Sequence, residues 1–144
     1  LIADAGAGVV AAVHAGGKGA IGGVVASTVE TMVGQGASPA NMVAAVGPCI
    51  GPASYEVGSE FRDRFHDEDP AYGRYFQPGE GAGKFLFDLP AFVLARLEAA
   101  GVARAEWIGR DTFAEPELFF SNRRAFKLQE ADYGRLLSAI ALAA

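Results

Sequence analysis

The chain has 144 residues, of which 51% are hydrophobic and 20% are charged, and its formal net charge is −5. This length suits about one domain with a real core, and no apolar run reaches the roughly 18 residues of a membrane-spanning helix. The negative charge argues against general nucleic-acid binding, which needs clustered Lys and Arg. We therefore expect neither a nucleic-acid nor a membrane partner, and the sequence leaves the oligomeric state open.

Two further features bear on the setting of the protein. Cys49 is the single cysteine, so an internal disulfide is excluded and a reducing, cytoplasmic location is indicated. The sequence opens with Leu1, and a strand is already under way there. We expect these residues to belong to a longer protein.

The first third of the chain predicts a hairpin, a helix and a strand. Residues 1–4 and 9–14 read as two strands joined by a glycine-rich turn. Apolar residues at helical spacing predict a helix over residues 19–33. A buried strand follows at residues 42–46.

The middle of the chain predicts a helix and then a long loop. Ser59 is suited to cap a helix that runs to His66. Residues 67–83 contain two prolines and four glycines and predict a loop, and residues 84–87 a short strand.

The last third alternates in the same way. Asp88 is placed to cap a helix that ends at Gly101, and residues 105–109 predict a strand. Residues 126–133 predict a loop and residues 134–142 a final strand. Alternating strands and helices indicate an α/β or α+β protein.

A glycine turn at residues 17–22 (GKGAIG) fits the dinucleotide pattern G-x-G-x-x-G. The pattern also needs an acidic residue after the next strand, but that strand ends at Val46 and is followed by Gly47-Pro48. A phosphate-binding Walker loop fails as well, because Lys18 is followed by glycine. The sequence does not support nucleotide-cofactor binding.

His14 and Lys18 are the sharper candidates beside this turn. His14 lies at the end of a predicted strand, next to a turn that leaves space in front of its ring. Metal ligation and proton transfer both need such space. The alternative is a core histidine bonded to a carbonyl. Lys18 could supply a positive charge to an anion bound at the start of the helix. The alternative is a lysine that only contacts solvent.

Four other side chains are further candidates. Cys49 would need a base to act as a nucleophile and nearby partners to act as a metal ligand. His66 lies in a charged run typical of a solvated helix face. Arg123 and Arg124 suit bidentate binding of phosphate or carboxylate, or ordinary salt bridges.

Four segments together resemble one known family. AAVHAGGKGAIGGVV, VGPCIGPASYEVGSEF, DTFAEPELFFSNRR and YGRLLSAIAL occur in order and are similar to the YfiH-type laccase-domain proteins. Members are described as polyphenol oxidases and as purine nucleoside phosphorylases. The resemblance implies a layered α/β (α+β) sandwich of mixed β-sheet with flanking helices. It implies that residues 1–144 are the C-terminal part of a single laccase domain.

The family implies a purine nucleoside phosphorylase acting on adenosine or inosine with phosphate, with adenosine deamination in many members. Its metal site, usually zinc, holds two histidines and a cysteine. The histidine of the family motif H-A-G-W-[RK]-G corresponds to His14, and the other two ligands are expected upstream of Leu1. Lys18, Arg123 and Arg124 are then the candidates for phosphate binding.

Two alternatives stay open beside this interpretation. The first is a copper-dependent phenol oxidase. Multicopper sites need many imidazole ligands, however, and the chain has only two histidines. An inactive relative or binding module is the second. Gly17 supports it, because the family motif has tryptophan at this position.

Overall fold

The computed structural model describes residues 1–143 and divides into two compact units. The first unit contains Leu1–Gly47, Val93–Ile108 and the described residues from Leu137 onward. The second contains Pro48–Phe92 and Gly109–Leu136. Across residues 1–143, no helix combines the length and the apolar character needed to cross a bilayer.

The first unit is built on a four-stranded mixed sheet in the order β2-β1-β3-β7. Its strands are β1 (Ile2–Asp4), β2 (Val9–Ala11), β3 (Val43–Val46) and β7 (Arg104–Trp107). The first two form the predicted antiparallel hairpin, β1 and β3 are antiparallel, and β3 and β7 are parallel. The predicted strands are confirmed, but β2 ends at Ala11, before His14.

The predicted helix over residues 19–33 is two helices, α1 (Gly17–Ile21) and α2 (Val24–Gly34). Gly23 separates them with a φ of 84°, a left-handed conformation that L residues other than glycine rarely adopt. The apolar spacing continues across this break, so periodicity alone cannot detect it.

Helix α2 covers one face of the hairpin sheet. Its Val25, Val29 and Met32 are buried, and the helix contacts β2. On the sheet, Ile2 and Ala44 are 1% and 4% exposed. Burial of side chains such as these contributes roughly 1.5–3 kcal/mol each for the larger ones.

The second unit holds a three-stranded antiparallel sheet in the order β4-β6-β5. Its strands are β4 (Glu56–Gly58), β5 (Phe76–Pro78) and β6 (Lys84–Phe87). The prediction of a loop over residues 67–83 was therefore wrong in part. A short 3-10 helix (Pro70–Tyr75) and β5 lie within it, because aromatic side chains in this segment are buried.

An aromatic cluster forms the core of the second unit. Phe65 and Phe87 are 1% and 0% exposed, and their ring centroids lie 4.8 Å apart. Replacing such a fully buried ring by alanine costs about 3–5 kcal/mol. The cluster comprises Tyr55, Phe61, Phe65, Tyr72, Tyr75, Phe76, Phe87 and Phe92.

Two helices begin in this unit. Helix α3 (Ser59–Glu68) has Gly58 at its N-cap position, so Ser59 is the first helical residue and not the cap. Helix α4 (Leu89–Ala99) is capped as predicted, because the Asp88 carboxylate accepts from the Ala91 N–H at 2.9 Å.

The end of the chain differs from the sequence prediction. Helix α5 (Asn122–Lys127) is capped by the Ser121 hydroxyl and extends into the segment predicted as a loop. The predicted strand over residues 134–142 is absent, since residues 128–143 form neither helix nor strand. A strand needs a neighbour to pair with, and none pairs with this segment within residues 1–143.

Candidate functional site

His14 lies in the segment between β2 and α1, three residues past the end of the strand. Its side chain is exposed, and within residues 1–143 the ring has no hydrogen-bond or ion-pair partner. It is therefore not a core histidine bonded to a carbonyl. The imidazole is available to solvent or to a ligand.

Two glycines let the backbone pass close to this imidazole. A Cβ added at Gly16 would lie 3.0 Å from Nε2 of His14. A Cβ added at Gly19 would lie 3.4 Å from the His14 carbonyl oxygen. At Gly16 and Gly19, the absence of a side chain therefore allows the backbone to pass close to His14.

Lys18 is exposed in α1. This helix has only five residues, little more than one turn, so its dipole is small. Attraction of an anion near this point would depend on the Lys18 ammonium group itself.

Asp4 fixes the turn between β1 and β2 and links it to Ser38, a role that the sequence analysis missed. Its carboxylate is 1% exposed and accepts from the N–H groups of Ser38 at 2.8 Å and Ala7 at 3.0 Å. The Ser38 hydrogen bond, followed by that from Ala7, lowers the pKa of Asp4, and desolvation opposes them. An aspartate directly before a glycine-rich turn was the available signal.

In the second unit, Arg123 binds strand β4 and an aromatic ring. Its Nη1 donates to the Glu56 carbonyl oxygen at 2.7 Å, and its guanidinium carbon lies 5.2 Å from the Tyr55 ring centroid. Burial raises the pKa of the Tyr55 hydroxyl, and the charge of Arg123 opposes that shift.

Arg124 holds a loop together. Nη1 donates to the carbonyl oxygens of Thr112 at 2.7 Å and Phe113 at 3.0 Å, and Nη2 donates to that of Phe119. These bonds occupy donors that a bidentate phosphate contact would use. The phosphate-binding role of Arg124 stays a prediction, and the contacts present are structural.

Asp111 joins two loops that the sequence analysis quoted separately. One carboxylate oxygen accepts from the Ser54 hydroxyl at 2.6 Å and the other from the Phe113 N–H at 2.9 Å. A Cβ at Gly51 would lie 2.5 Å from Oδ2 of Asp111, so glycine is required there. Cys49 forms an isolated parallel bridge with Asp111, which ties the GPCIGP loop to this point.

The pKa of Asp111 is lowered on balance. Desolvation by burial raises it, and hydrogen bonds from the Ser54 hydroxyl and then the Gly51, Phe113 and Ala114 N–H groups lower it. We name Asp111, Ser54 and Gly51 the loop clamp.

The predicted site residues fall into two sets. His14 and Lys18 lie in the first unit, four residues apart in sequence. Arg123 and Arg124 are adjacent on α5 in the second unit, where they bond to the backbone at different places. His66 is exposed on α3, as the charged run predicted.

Within residues 1–143, no three His, Cys, Asp or Glu side chains are close enough to hold a metal ion together. The exposed, unbonded imidazole of His14 fits the role of one ligand.

The mixed sheets with flanking helices define an α/β protein. The sequence profile of the family described as multi-copper polyphenol oxidoreductase laccase matches residues 1–143. The chain belongs to this family, the YfiH-type laccase-domain proteins, and the predicted resemblance is confirmed.

Curated relatives carry a different functional name. A Rickettsia conorii protein is 35% identical over 142 residues, which are 99% of this chain and 58% of the relative. Escherichia coli YfiH is 39% identical over 116 residues, 80% of this chain and 45% of the relative. Both relatives are named purine nucleoside phosphorylase. The chain thus spans about half the length of these relatives.

Solved structures confirm the fold class. A Neisseria meningitidis protein of the DUF152 family has a TM-score of 0.69 and 36% identity, covering 77% of this chain and 44% of its own. Bacillus licheniformis YfiH, described as a hypothetical protein, has a TM-score of 0.67 and 31% identity, with coverage of 77% and 43%. The mixed sheets with flanking helices match this family.

Proposed function

We propose that this chain is the C-terminal part of a purine nucleoside phosphorylase. The names of its relatives support the reaction class. The observation that carries the proposal is the exposed imidazole of His14, held by a hairpin and a glycine turn with no partner within residues 1–143.

The proposed reaction takes adenosine or inosine and inorganic phosphate. A phosphate oxygen forms a bond to the anomeric carbon of ribose while the bond from that carbon to the purine nitrogen breaks. The base leaves with the electron pair and gains the proton that phosphate gives up, and ribose 1-phosphate is the second product. Positioning the two reactants supplies a large part of such a rate enhancement.

Lys18 is the proposed phosphate contact in the first unit. Its ammonium group is exposed and four residues from His14. An ammonium binds phosphate as a point charge and needs no fixed fork geometry. Arg123 and Arg124 are further candidates, although Arg124 would have to release backbone carbonyls to take part.

We propose zinc as the cofactor, with His14 as one ligand and with a cysteine and a second histidine from polypeptide upstream of Leu1. When bound by three such ligands, zinc keeps one position for water or substrate and makes bound water more acidic. In this proposal the chain contributes the His14 imidazole, which lies next to Gly16 in the turn before α1.

The proposal also includes adenosine deamination as a second activity and the cytoplasm as the location of the protein. Adenosine deamination would use the same site, and the cytoplasm is the proposed location because the chain has one cysteine. Copper-dependent oxidation of phenols is the alternative chemistry, in line with the description of the family profile.

The test uses the product of the complete reading frame that contains these residues. Incubated with adenosine or inosine and phosphate, it should release free base and ribose 1-phosphate, with base release dependent on phosphate. His14→Ala should lower kcat/KM by about 100-fold or more, as loss of a central catalytic group does. Lys18→Ala should mainly raise the KM for phosphate.

The matched control is His66→Ala, which changes the other histidine, exposed on α3. Its kcat/KM should equal that of the unchanged protein. Ammonia release from adenosine measures deamination, and oxygen uptake with phenols measures the copper alternative. Absence of phosphate-dependent base release, or equal loss in both histidine variants, would contradict the proposal.

A further inference from the structure

Arg123 is a half-buried cation of the second unit that has no carboxylate partner within residues 1–143. Its side chain forms one hydrogen bond there, from Nη1 to the Glu56 carbonyl oxygen at 2.7 Å, and lies against the Tyr55 ring. Other arginines of the described chain each form a salt bridge with an acidic side chain: Arg62, Arg104, Arg110 and Arg135. Arg123 therefore differs from these arginines in lacking a counter-charge.

The hydrogen-bonding capacity of this guanidinium is only partly used. A guanidinium carries N–H donors on each of its nitrogens, and in the described part of the chain only Nη1 of Arg123 has an acceptor. Moving a cation partly out of water costs free energy unless an anion or enough acceptors replace the lost water. One carbonyl oxygen and one ring face replace only a part of it. Nε and Nη2 of Arg123 are thus available to an anionic ligand.

The position of the Arg123 guanidinium is fixed on two sides. Nη1 bonds to the backbone of β4, and the guanidinium carbon lies 5.2 Å from the centroid of the Tyr55 ring. That ring is itself packed, with its centroid 5.9 Å from that of Phe61 and 5.7 Å from that of Phe87. A side chain that is already ordered loses less conformational entropy on binding a ligand than a mobile surface arginine does.

The neighbouring Arg124 is bonded differently. Its Nη1 donates to the carbonyl oxygens of Thr112 and Phe113, and its Nη2 donates to that of Phe119. Both terminal nitrogens of Arg124 are therefore occupied by the backbone of one loop. Of the two adjacent arginines on α5, Arg123 is the one whose outer donors remain available to a ligand.

We propose that Arg123, held against the Tyr55 ring, is an anion subsite that binds inorganic phosphate. Nε and Nη2 lie on one edge of the guanidinium and form a two-donor fork that matches two phosphate oxygens. Tyr55 is a positioning residue, because its ring keeps the guanidinium in place through a cation–π contact. The choice of phosphate as the anion rests on the proposed function.

Equilibrium dialysis of the product of the complete reading frame against radiolabelled inorganic phosphate, without nucleoside, measures this subsite directly. Arg123→Met removes the charge and keeps an apolar stem. It should weaken phosphate binding by about 10-fold or more, the loss expected for one charged hydrogen-bonded pair. Arg62→Met is the matched control, because Arg62 also lies over a ring, 4.3 Å from the Phe85 centroid, but is paired with Asp63. It should keep the phosphate affinity of the unchanged protein.

Tyr55→Leu tests the positioning role, and Tyr55→Phe is its conservative counterpart. Leucine removes the ring face, so it should weaken phosphate binding by about 3- to 10-fold and raise the KM for phosphate more than it lowers kcat. Phenylalanine keeps the ring and should bind phosphate as the unchanged protein does. An equal loss of affinity in both variants, or a change in kcat alone, would contradict the positioning role of the ring.

Unchanged phosphate affinity in Arg123→Met would overturn the proposal, and so would the absence of phosphate binding to the unchanged protein. If the thermal unfolding midpoint of Arg123→Met falls, Arg123→Gln replaces it and should show the same loss of affinity. Binding that depends on Arg123 without phosphate-dependent release of base would support the anion subsite and contradict the proposed function. The two proposals can therefore fail separately.

Discussion

Single carboxylates fix the loops of this protein. Asp4 holds the turn between β1 and β2, and Asp111 closes the loop clamp with Ser54 and Gly51. Each accepts backbone or hydroxyl hydrogen bonds that stabilise its charged form. Their contribution to stability is therefore tied to pH.

Asp111→Asn should destabilise the protein by about 2 kcal/mol at neutral pH, because an amide NH₂ would face donors that now bind the carboxylate. The folded-state pKa of Asp111 lies below the ordinary 3.8, so its stabilising effect is complete above 3.8 and is lost as the pH falls through the folded-state pKa. Urea unfolding of both proteins at a series of pH values measures the gap, which should close in acid.

The control for this series is Asp67→Asn, at an exposed position on α3. It should leave the free energy of unfolding within about 0.5 kcal/mol of the unchanged protein. A gap for Asp111→Asn that stays constant into acid would show that the carboxylate charge is not what matters.

At the scale of elements, the break between α1 and α2 positions the short helix after His14. Gly23 adopts a φ of 84° there, whereas Gly34 in α2 has no atom within 4 Å of an added Cβ and no positive φ. These two glycines allow a matched comparison of backbone effects.

Gly23→Ala should destabilise the protein by about 1–2 kcal/mol, because an L residue in the left-handed region is strained. Gly34→Ala should stabilise it by up to about 1 kcal/mol, since alanine favours a helix and lowers the entropy of the unfolded chain. Thermal and urea unfolding measure both. If both variants shift stability in the same direction, the break is not a fixed feature of the fold.

At the scale of the whole molecule, the structure shows an exposed imidazole at His14 and an exposed apolar side chain at Val43 on the sheet of the first unit. His14 has no metal-binding neighbours among residues 1–143, and Val43 is uncovered on its sheet. Both features belong to a chain that spans about half the length of its relatives.

Metal content is the prediction at this scale. The product of the complete reading frame should contain about one zinc per chain, the number expected for a single three-ligand catalytic site. His14→Ala should lower the bound zinc strongly, and chelation should remove it from the unchanged protein. Elemental analysis measures both.

His66→Ala should keep the zinc content of the unchanged protein. Several coppers per chain would favour the phenol oxidase alternative instead. Zinc retained in full by His14→Ala would remove His14 from the ligand set.

The sequence by itself determined the hairpin, the strand after α2, the Asp88 cap and the family. These depend on local patterns: alternation of apolar residues, glycine-rich turns, capping residues and ordered motifs. The sequence also singled out His14 and Lys18 beside the glycine turn.

Only the tertiary structure decided the break at Gly23, the β5 strand within the predicted loop, and the missing strand over residues 134–142. It also decided that Arg124 donates to backbone carbonyl oxygens and that the Val43 side chain is exposed on one face of the sheet. Each depends on contacts between residues far apart in sequence or on the absence of a pairing partner. The local sequence pattern does not contain this information, because tertiary packing determines which hydrogen-bond partners meet and which side chains are buried.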